Sequence, residues 1–149
     1  MYHGFTIIEV TIAAALLVTL GGIAIPVYKD ALHRARIARA IGEISMISKE
    51  IEVHQVYKGN LPNTLAGVDR GDLLDPWGNP YEYLNIAAAG KGVAGKARKD
   101  KFLVPLNSDY DLYSKGKDGQ SVAPLTAQAS WDDIVRANDG AYIGLALEY

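Results

Sequence analysis

The stretch FTIIEVTIAAALLVTLGGIAIPV, residues 5–27, decides the fold of this chain, because Glu9 is its only ionisable residue. A helix rises about 1.5 Å per residue, so a run of this length spans the roughly 30 Å hydrocarbon core of a bilayer. The alternative, a cleaved secretory signal, would have a basic beginning, a shorter apolar core and a small-residue cleavage site after it. The run therefore predicts a transmembrane helix, in which Glu9 needs either a partner or a reason to be uncharged.

The helical pattern continues beyond this run as an amphipathic stripe, in which apolar residues recur at steps of three and four. Its apolar face consists of Ile37, Ala40, Ile41, Ile44, Ile47, Ser48 and Ile51. Its charged face consists of Arg36, Arg39, Glu43, Lys49, Glu50 and Glu52. Gly59 and Pro62 end the pattern, because glycine caps a helix and proline does not continue it. We predict one helix over about residues 5–57, with a transmembrane half at 5–28 and an amphipathic half at 29–57.

Two features complicate the transmembrane half. Gly21, Gly22 and Pro26 lie inside it, and Pro26 removes a backbone hydrogen bond. They mark either a hinge or the ordinary tolerance of membrane helices for glycine and proline. The basic residues that flank the span all follow it, namely Lys29, Arg34, Arg36 and Arg39. The positive-inside rule taken alone would therefore leave the C-terminal part in the cytoplasm.

Residues 58–149 alternate short strand-like runs with turns, which predicts a small globular β domain. Proline and glycine make residues 75–80 a dense turn, with Trp77 as its apolar anchor against the helix. Residues 90–100 are basic and contain glycine, so we expect a hairpin tip or mobile loop there. The predicted strands are residues 81–84, 102–106, 110–114 and 141–147. The predicted fold is therefore α+β, a long N-terminal helix packed on a small C-terminal antiparallel sheet.

Composition excludes several functional classes. A net charge of -2 over 149 residues gives no general attraction to nucleic acid, and the absence of cysteine excludes disulfides and thiolate metal sites. His3, His33 and His54 lack the spacing of metal ligands. The glycines of residues 90–96 lack the strand and helix context of a phosphate loop, and the serines have no recognisable histidine partner. We therefore predict that the chain is not an enzyme and has no catalytic residues.

The stretch from Gly4 to Glu9, followed by the apolar run, Pro26 and an amphipathic helix, resembles the type III signal of type IV pilins and of the pseudopilins of type II secretion. The resemblance implies a prepilin leader at residues 1–4, which a prepilin peptidase removes by cutting between Gly4 and Phe5. It also implies methylation of Phe5 as the new N-terminal residue.

The same resemblance implies that Phe5, Glu9 and Pro26 act in assembly. Burying the Glu9 carboxylate among apolar helices is costly unless the charge is paired, and the freed amine of a neighbouring subunit would supply the pair. A wrong axial offset would leave both charges unpaired, so the contact would select one register between subunits. The alternative is that Glu9 stays protonated or reaches the membrane interface.

Two C-terminal motifs, DPWGNPY at residues 75–81 and DLYSKGKDGQ at 111–120, resemble the major, G-type pseudopilin of type II secretion. The resemblance implies a homopolymer that forms a periplasmic pseudopilus and drives protein export. It implies minor pseudopilins, the prepilin peptidase, an inner-membrane assembly platform and the lipid bilayer as partners. It also places the chain in the bacterial inner membrane as a single-pass protein with its C-terminal domain in the periplasm.

Two other functions remain open at this stage. A type IV pilin of a surface fibre would share the fold and serve adhesion, motility or DNA uptake. A monotopic membrane-anchored binding protein would need no polymer at all. The lack of cysteine favours the pseudopilin, because many type IV pilins close their C-terminal loop with a disulfide.

The resemblance also implies a calcium site in the acidic loop, residues 115–133, since major pseudopilins bind Ca²⁺ in this loop. The match suggests the backbone carbonyl of Lys115 and the carboxylates of Asp118, Asp132 and Asp133 as ligands. Such hard oxygen donors are what Ca²⁺ requires, about six to eight of them. The rival ligands are Asp109, Asp111 and Asp139. The alternative is that these aspartates cap backbone amides in turns.

Overall fold

The structure, a computed structural model, describes residues 4–89 and 95–149. The chain divides into two compact units, which meet in sequence between Ala35 and Arg36. The helix α1, Ile7–Lys58, begins in the first unit and ends in the second. The prediction of one long helix is confirmed, and its first and last residues lie within two positions of the expected ones. The finer boundaries between leader, transmembrane half, amphipathic half and globular domain stay predictions.

The first unit contains the apolar part of α1. Its best 18-residue window has a mean hydropathy of 2.3, and none of that window is buried. By length and composition this helix is able to cross a membrane. Gly21, Gly22 and Pro26 all lie within α1, so these residues do not end the helix.

The second unit contains a four-stranded antiparallel sheet in the order β1-β2-β3-β4. A short helix, α2 (Ile86–Ala89), follows β1 directly. The strands are β1 (Glu82–Asn85), β2 (Tyr110–Ser114), β3 (Ile134–Ala137) and β4 (Tyr142–Leu145). This architecture confirms the predicted α+β class. Three of the four predicted strands, at 81–84, 110–114 and 141–147, correspond to β1, β2 and β4.

The strand predicted at residues 102–106 is wrong. Asp100 and Leu103 exchange backbone hydrogen bonds of 3.0 and 2.6 Å, so the chain folds back on itself at this point. Phe102 is fully exposed, and Leu103 and Val104 are about half exposed, although all three are apolar. The run has strand-like composition, but it pairs with no strand among the residues that the structure describes. Of the loop predicted at residues 90–100, residues 90–94 lie outside the described residues, and Lys99 and Asp100 form isolated bridges.

The amphipathic stripe of α1 packs on the sheet as predicted. Ala40, Ile44, Ile47 and Ile51 are fully buried and join strand residues in one apolar cluster. The strand residues of that cluster are Tyr110, Leu112 and Ile134. Trp77 is partly buried against the same cluster, which confirms its role as the anchor of the 75–80 turn. A second cluster contains Val135 and Ala137, which point to the face of β3 opposite to Ile134.

An ion pair ties α1 to the loop that follows it. Arg70 donates two hydrogen bonds to Glu50, with Nε–Oε2 and Nη2–Oε1 distances of 2.7 and 2.6 Å. Both side chains are about one third exposed, so solvent screens the attraction. The bidentate geometry nevertheless fixes the position of residue 70 over the helix.

Replacement of Arg70 by glutamine is expected to cause a small decrease in the free energy of unfolding at neutral pH. The hydrogen bonds from Arg70 lower the pKa of Glu50. The stabilisation is therefore fully present above the ordinary Glu pKa of about 4.3 and is lost as the pH falls through the lowered pKa. The melting temperatures of the unaltered chain and of Arg70→Gln should thus differ at pH 7 and become equal in acid. Lys49→Gln is the control, because it removes a charge from an exposed neighbouring position. It should leave the melting temperature unchanged both at pH 7 and in acid.

Candidate assembly helix and acidic loop

The first turn of α1 holds Glu9 through contacts within the chain. The Glu9 carboxylate oxygen Oε2 accepts hydrogen bonds from the Thr6 backbone N–H and hydroxyl, both at 2.8 Å. The Thr6 hydroxyl accepts a bond of 3.3 Å from the Glu9 N–H. This reciprocal arrangement is a capping box, in which Thr6 is the N-cap and Glu9 the third helical residue. Glu9 therefore has a hydrogen-bond partner in its own chain, which the sequence analysis did not anticipate.

The residues of the implied cleavage site lie before the helix. Gly4 and Phe5 are non-helical and exposed, and the Phe5 side chain is 87% exposed. The capping box begins at Thr6, so it includes neither residue of the implied cut. Removal of the leader would leave the contacts between Thr6 and Glu9 unchanged.

The surface of the first unit is apolar and exposed. Large side chains on all sides of α1 are more than half exposed, including Ile8, Ile12, Leu16, Val18, Ile23 and Val27. An uncovered apolar surface of this extent is unfavourable in water, so it needs lipid or other helices around it. Within the run, Glu9 is the one carboxylate.

The acidic loop begins where β2 ends. Gly116 and Gly119 adopt positive φ values of 63° and 68°, which turn the chain sharply after Lys115. Asp132 Oδ2 accepts the backbone N–H groups of Lys117 and Asp118 at 2.8 and 3.0 Å. The structure therefore places the Asp132 carboxylate against the turn that contains two other predicted calcium positions, 115 and 118.

Asp118 and Lys115 use their side chains elsewhere. Asp118 Oδ1 caps the Gln120 N–H at 2.7 Å, as aspartates in turns commonly do. The Lys115 ammonium pairs with Glu82 of β1 at 2.5 Å. The Gly116 carbonyl, next to Lys115, accepts a bond of 2.9 Å from the Asn79 side chain, which connects this turn to the 75–80 turn.

Asp133 lies apart from the other predicted ligands, although it follows Asp132 directly. It is fully buried, and its Oδ2 accepts hydrogen bonds from Arg98 at 2.5 Å and Ser121 at 2.6 Å. Burial raises the pKa of Asp133 to about 6, because desolvation outweighs the stabilisation by Ser121 and Arg98. The carboxylate is therefore ionised at neutral pH and forms a buried ion pair with Arg98.

The rival ligands also have partners of their own. Asp109 forms a bidentate pair with Arg136, at 2.8 and 2.7 Å. Asp111 accepts the Arg98 backbone N–H at 2.6 Å, and Asp139 accepts the Ser108 N–H at 2.7 Å. Within residues 4–89 and 95–149, no three His, Cys, Asp or Glu side chains gather in a group able to hold a metal ion. As they lie, these side chains do not form a calcium cage, and the calcium site stays a prediction.

Comparison with known proteins identifies relatives over most of the chain. Type II secretion system core protein G of Pseudomonas aeruginosa is 27% identical over 138 residues, which cover 78% of this chain and 84% of the relative. The protein of the same name from Aeromonas hydrophila is 22% identical over 139 residues, with coverages of 79% and 85%. The type IV major fimbrial protein of Dichelobacter nodosus is 28% identical over 95 residues, with coverages of 64% and 59%. The chain is therefore similar to proteins of the type IV pilin superfamily. Over most of its length it resembles the G-type pseudopilins.

No family model matches this pilin-like chain, and no solved structure matches it significantly. The relatives are named as secretion-system and fimbrial proteins, which are structural proteins rather than enzymes. This agrees with the prediction that the chain carries no catalysis.

Sequence reasoning missed two functional features of this pilin-like chain. The capping box was visible as Thr6-Ile7-Ile8-Glu9, since threonine followed three residues later by glutamate is its signature. The partnership of Arg98 with Asp133 had no such signal. The two residues are 35 positions apart, and Arg98 reads as one of several basic residues in a polar segment.

Proposed function

We propose that this chain is a structural subunit of a periplasmic pseudopilus, which polymerises through α1 and drives protein export by type II secretion. The observation that carries the proposal is Glu9, the single carboxylate of the apolar run at residues 5–27, which lies in the first turn of α1. The names of the two relatives that match over most of the chain support the secretion system as its setting.

Polymerisation would cover the apolar surface of α1. Before assembly, lipid covers the first unit as a single-pass segment of the inner membrane, with the second unit in the periplasm. In the fibre, helices of neighbouring copies replace the lipid. The gain in apolar burial between the two states is small, because lipid is as apolar as the helices, so specific polar contacts must direct the association.

Glu9 supplies that specific contact. Both hydrogen bonds from Thr6 use Oε2, so Oε1 is the oxygen offered to a neighbouring subunit. Cutting between Gly4 and Phe5 creates an amine on Phe5, which has the opposite charge. In a low-dielectric bundle, such a pair attracts strongly only at the correct axial offset. The prepilin peptidase would find Gly4 and Phe5 in non-helical, exposed backbone.

The machinery that the proposal requires is the peptidase, the minor pseudopilins, an inner-membrane assembly platform and the bilayer. A second candidate is a type IV pilin of a surface fibre, which the match to the Dichelobacter nodosus protein favours. The pseudopilus stays in the periplasm and protein export depends on it. The type IV pilin forms a fibre on the cell surface, and export does not depend on it.

Mass spectrometry of the chain purified from its own membranes tests whether it is a processed filament subunit, as both candidate functions require. We expect the mature protein to begin at Phe5 and to carry one methyl group on its amine. An intact leader would contradict both filament functions. Expression in a secretion strain that lacks its major pseudopilin then separates them, because restored export supports the pseudopilus, whereas surface fibres without export support the pilin.

A further inference from the structure

The acidic loop contains a cation that belongs to the chain itself. Arg98 lies inside the loop, is only 2% exposed, and contacts residues on both arms of it. We propose that the Arg98 guanidinium takes the place of a divalent metal ion in this loop, so that the loop is held closed without calcium. This inference concerns the folding of the second unit and does not depend on the proposed filament.

The guanidinium binds three oxygen atoms of the loop. Its Nη1 donates to the Ser121 hydroxyl and, at 2.7 Å, to the Val122 carbonyl. Its Nη2 donates to Asp133 Oδ2 at 2.5 Å. Ser121 Oγ donates in turn to the same carboxylate oxygen at 2.6 Å. One cation therefore joins residues 121–122, in the middle of the loop, to its end at Asp133.

The backbone holds Arg98 in this position. Its N–H donates to the buried carboxylate of Asp111 at 2.6 Å, and its carbonyl accepts the Leu106 N–H at 2.8 Å. The next residue, Lys99, bonds to Ala123 and Leu125 of the loop at 3.0 and 2.9 Å. The guanidinium plane lies over the Tyr113 ring, 4.3 Å from its centroid, which adds a cation–π contact. Arginine suits such a site because its charge is permanent and its donors have a fixed geometry.

The same contacts disfavour calcium. A Ca²⁺ ion at Asp133 would lie beside a fixed positive charge on the same carboxylate, and like charges at short range repel strongly in a buried site. Asp133 Oδ1 is buried and has no hydrogen-bond partner, so it is one oxygen atom that could still bind a metal ion. Calcium needs about six to eight oxygen ligands. Asp132 and Asp118 direct oxygens at backbone N–H groups instead.

The test is thermal unfolding of the full chain in detergent at neutral pH, followed by tryptophan fluorescence. The chain has two tryptophans, Trp77 and Trp131, and both lie in the second unit. Trp131 donates to the Thr126 carbonyl at 3.2 Å and therefore reports on the loop itself. We expect millimolar calcium chloride and EDTA to give melting temperatures within about 1 °C of each other. A saturable rise of several degrees with calcium would overturn the proposal.

Variants then test the role of the charge. Arg98→Met keeps most of the side-chain volume but leaves Asp133 buried and unpaired, and we expect it to lower the melting temperature by about 8 °C or more. Adding Asp133→Asn removes the orphaned charge and should recover much of that loss. Lys99→Gln is the matched control, since it removes a neighbouring charge but keeps the backbone bonds of residue 99.

Two outcomes of the variants would contradict the proposal. If Arg98→Met has the same melting temperature as Lys99→Gln, the guanidinium does not hold the loop. If Arg98→Met is destabilised but Asp133→Asn recovers nothing, Arg98 acts through packing rather than charge. If the single variant does not fold at all, the comparison of calcium with EDTA on the unaltered chain still decides.

Discussion

Replacement of Glu9 by alanine is expected to abolish filament assembly and export while the chain still inserts into the membrane. Insertion depends on the apolar surface of α1, which the substitution makes more apolar. In the proposed filament, assembly depends on the contact between the carboxylate and the amine of a neighbouring Phe5, which alanine cannot form. The measurements are export in the complemented secretion strain, crosslinking of subunits in membranes, and the fraction of chain that resists carbonate extraction.

The capping box complicates this experiment, because Glu9→Ala also removes the bonds that the Glu9 carboxylate accepts from Thr6. Loss of these bonds weakens the first turn of the helix. Thr6→Val separates the two roles, since it removes the Thr6 hydroxyl from the cap but keeps the Glu9 carboxylate. We expect Thr6→Val to assemble. If it fails to the same degree as Glu9→Ala, the carboxylate acts by capping its own helix, and the proposed contact between subunits is wrong.

The long helix could be predicted because its signals are local. The apolar run and the stripe from Ile37 to Ile51 each repeat within a few residues, and the structure buries the stripe against the sheet as expected. The turn at 75–80 could also be predicted from the sequence, since proline and glycine fix its backbone. Asp75 completes it by accepting the N–H groups of Trp77 and Asn79 at 2.9 and 2.8 Å.

The strand β3 could not be predicted, because its burial depends on distant parts of the chain. All four of its residues are buried, so the alternation that marks a half-exposed strand is absent. Ile134 packs in one apolar cluster and Val135 in the other. Arg136 looks like a surface residue in the sequence, yet it is buried over the Tyr110 ring and pairs with Asp109. Only the tertiary structure supplies these partners.

The partners of the aspartates in the acidic loop could not be predicted from the sequence either. Its aspartates have the composition of a calcium site, and the sequence cannot tell whether a metal ion or a side chain neutralises them. The structure gives Asp133 a buried arginine from a segment that reads as an exposed basic loop. A cluster of acidic residues therefore predicts that a cation is needed, but not which one.

Gly116→Ala is expected to open the acidic loop and to lower the free energy of unfolding by about 4 kcal/mol or more. A Cβ at this position would lie 2.1 Å from the Asp132 carbonyl oxygen and 2.7 Å from its carbon. The clash is with backbone, so no rotation of a side chain relieves it. Residue 132 must move, which breaks its bonds to Lys117 and Asp118 and displaces Asp133 from Arg98.

A matched substitution isolates this clash from the conformational preference of glycine. Gly59 has a φ of 76°, close to the 63° of Gly116, but a Cβ there would meet nothing within 4 Å. Gly59→Ala should therefore cost only about 1 kcal/mol, the penalty of a positive φ. The measurement is the tryptophan melt of both variants in detergent, where Gly116→Ala should melt roughly 15 °C below the unaltered chain. Equal melts for the two variants would mean that residues 116 and 132 are not in contact. The position of Asp133 beside Arg98 would then need another explanation.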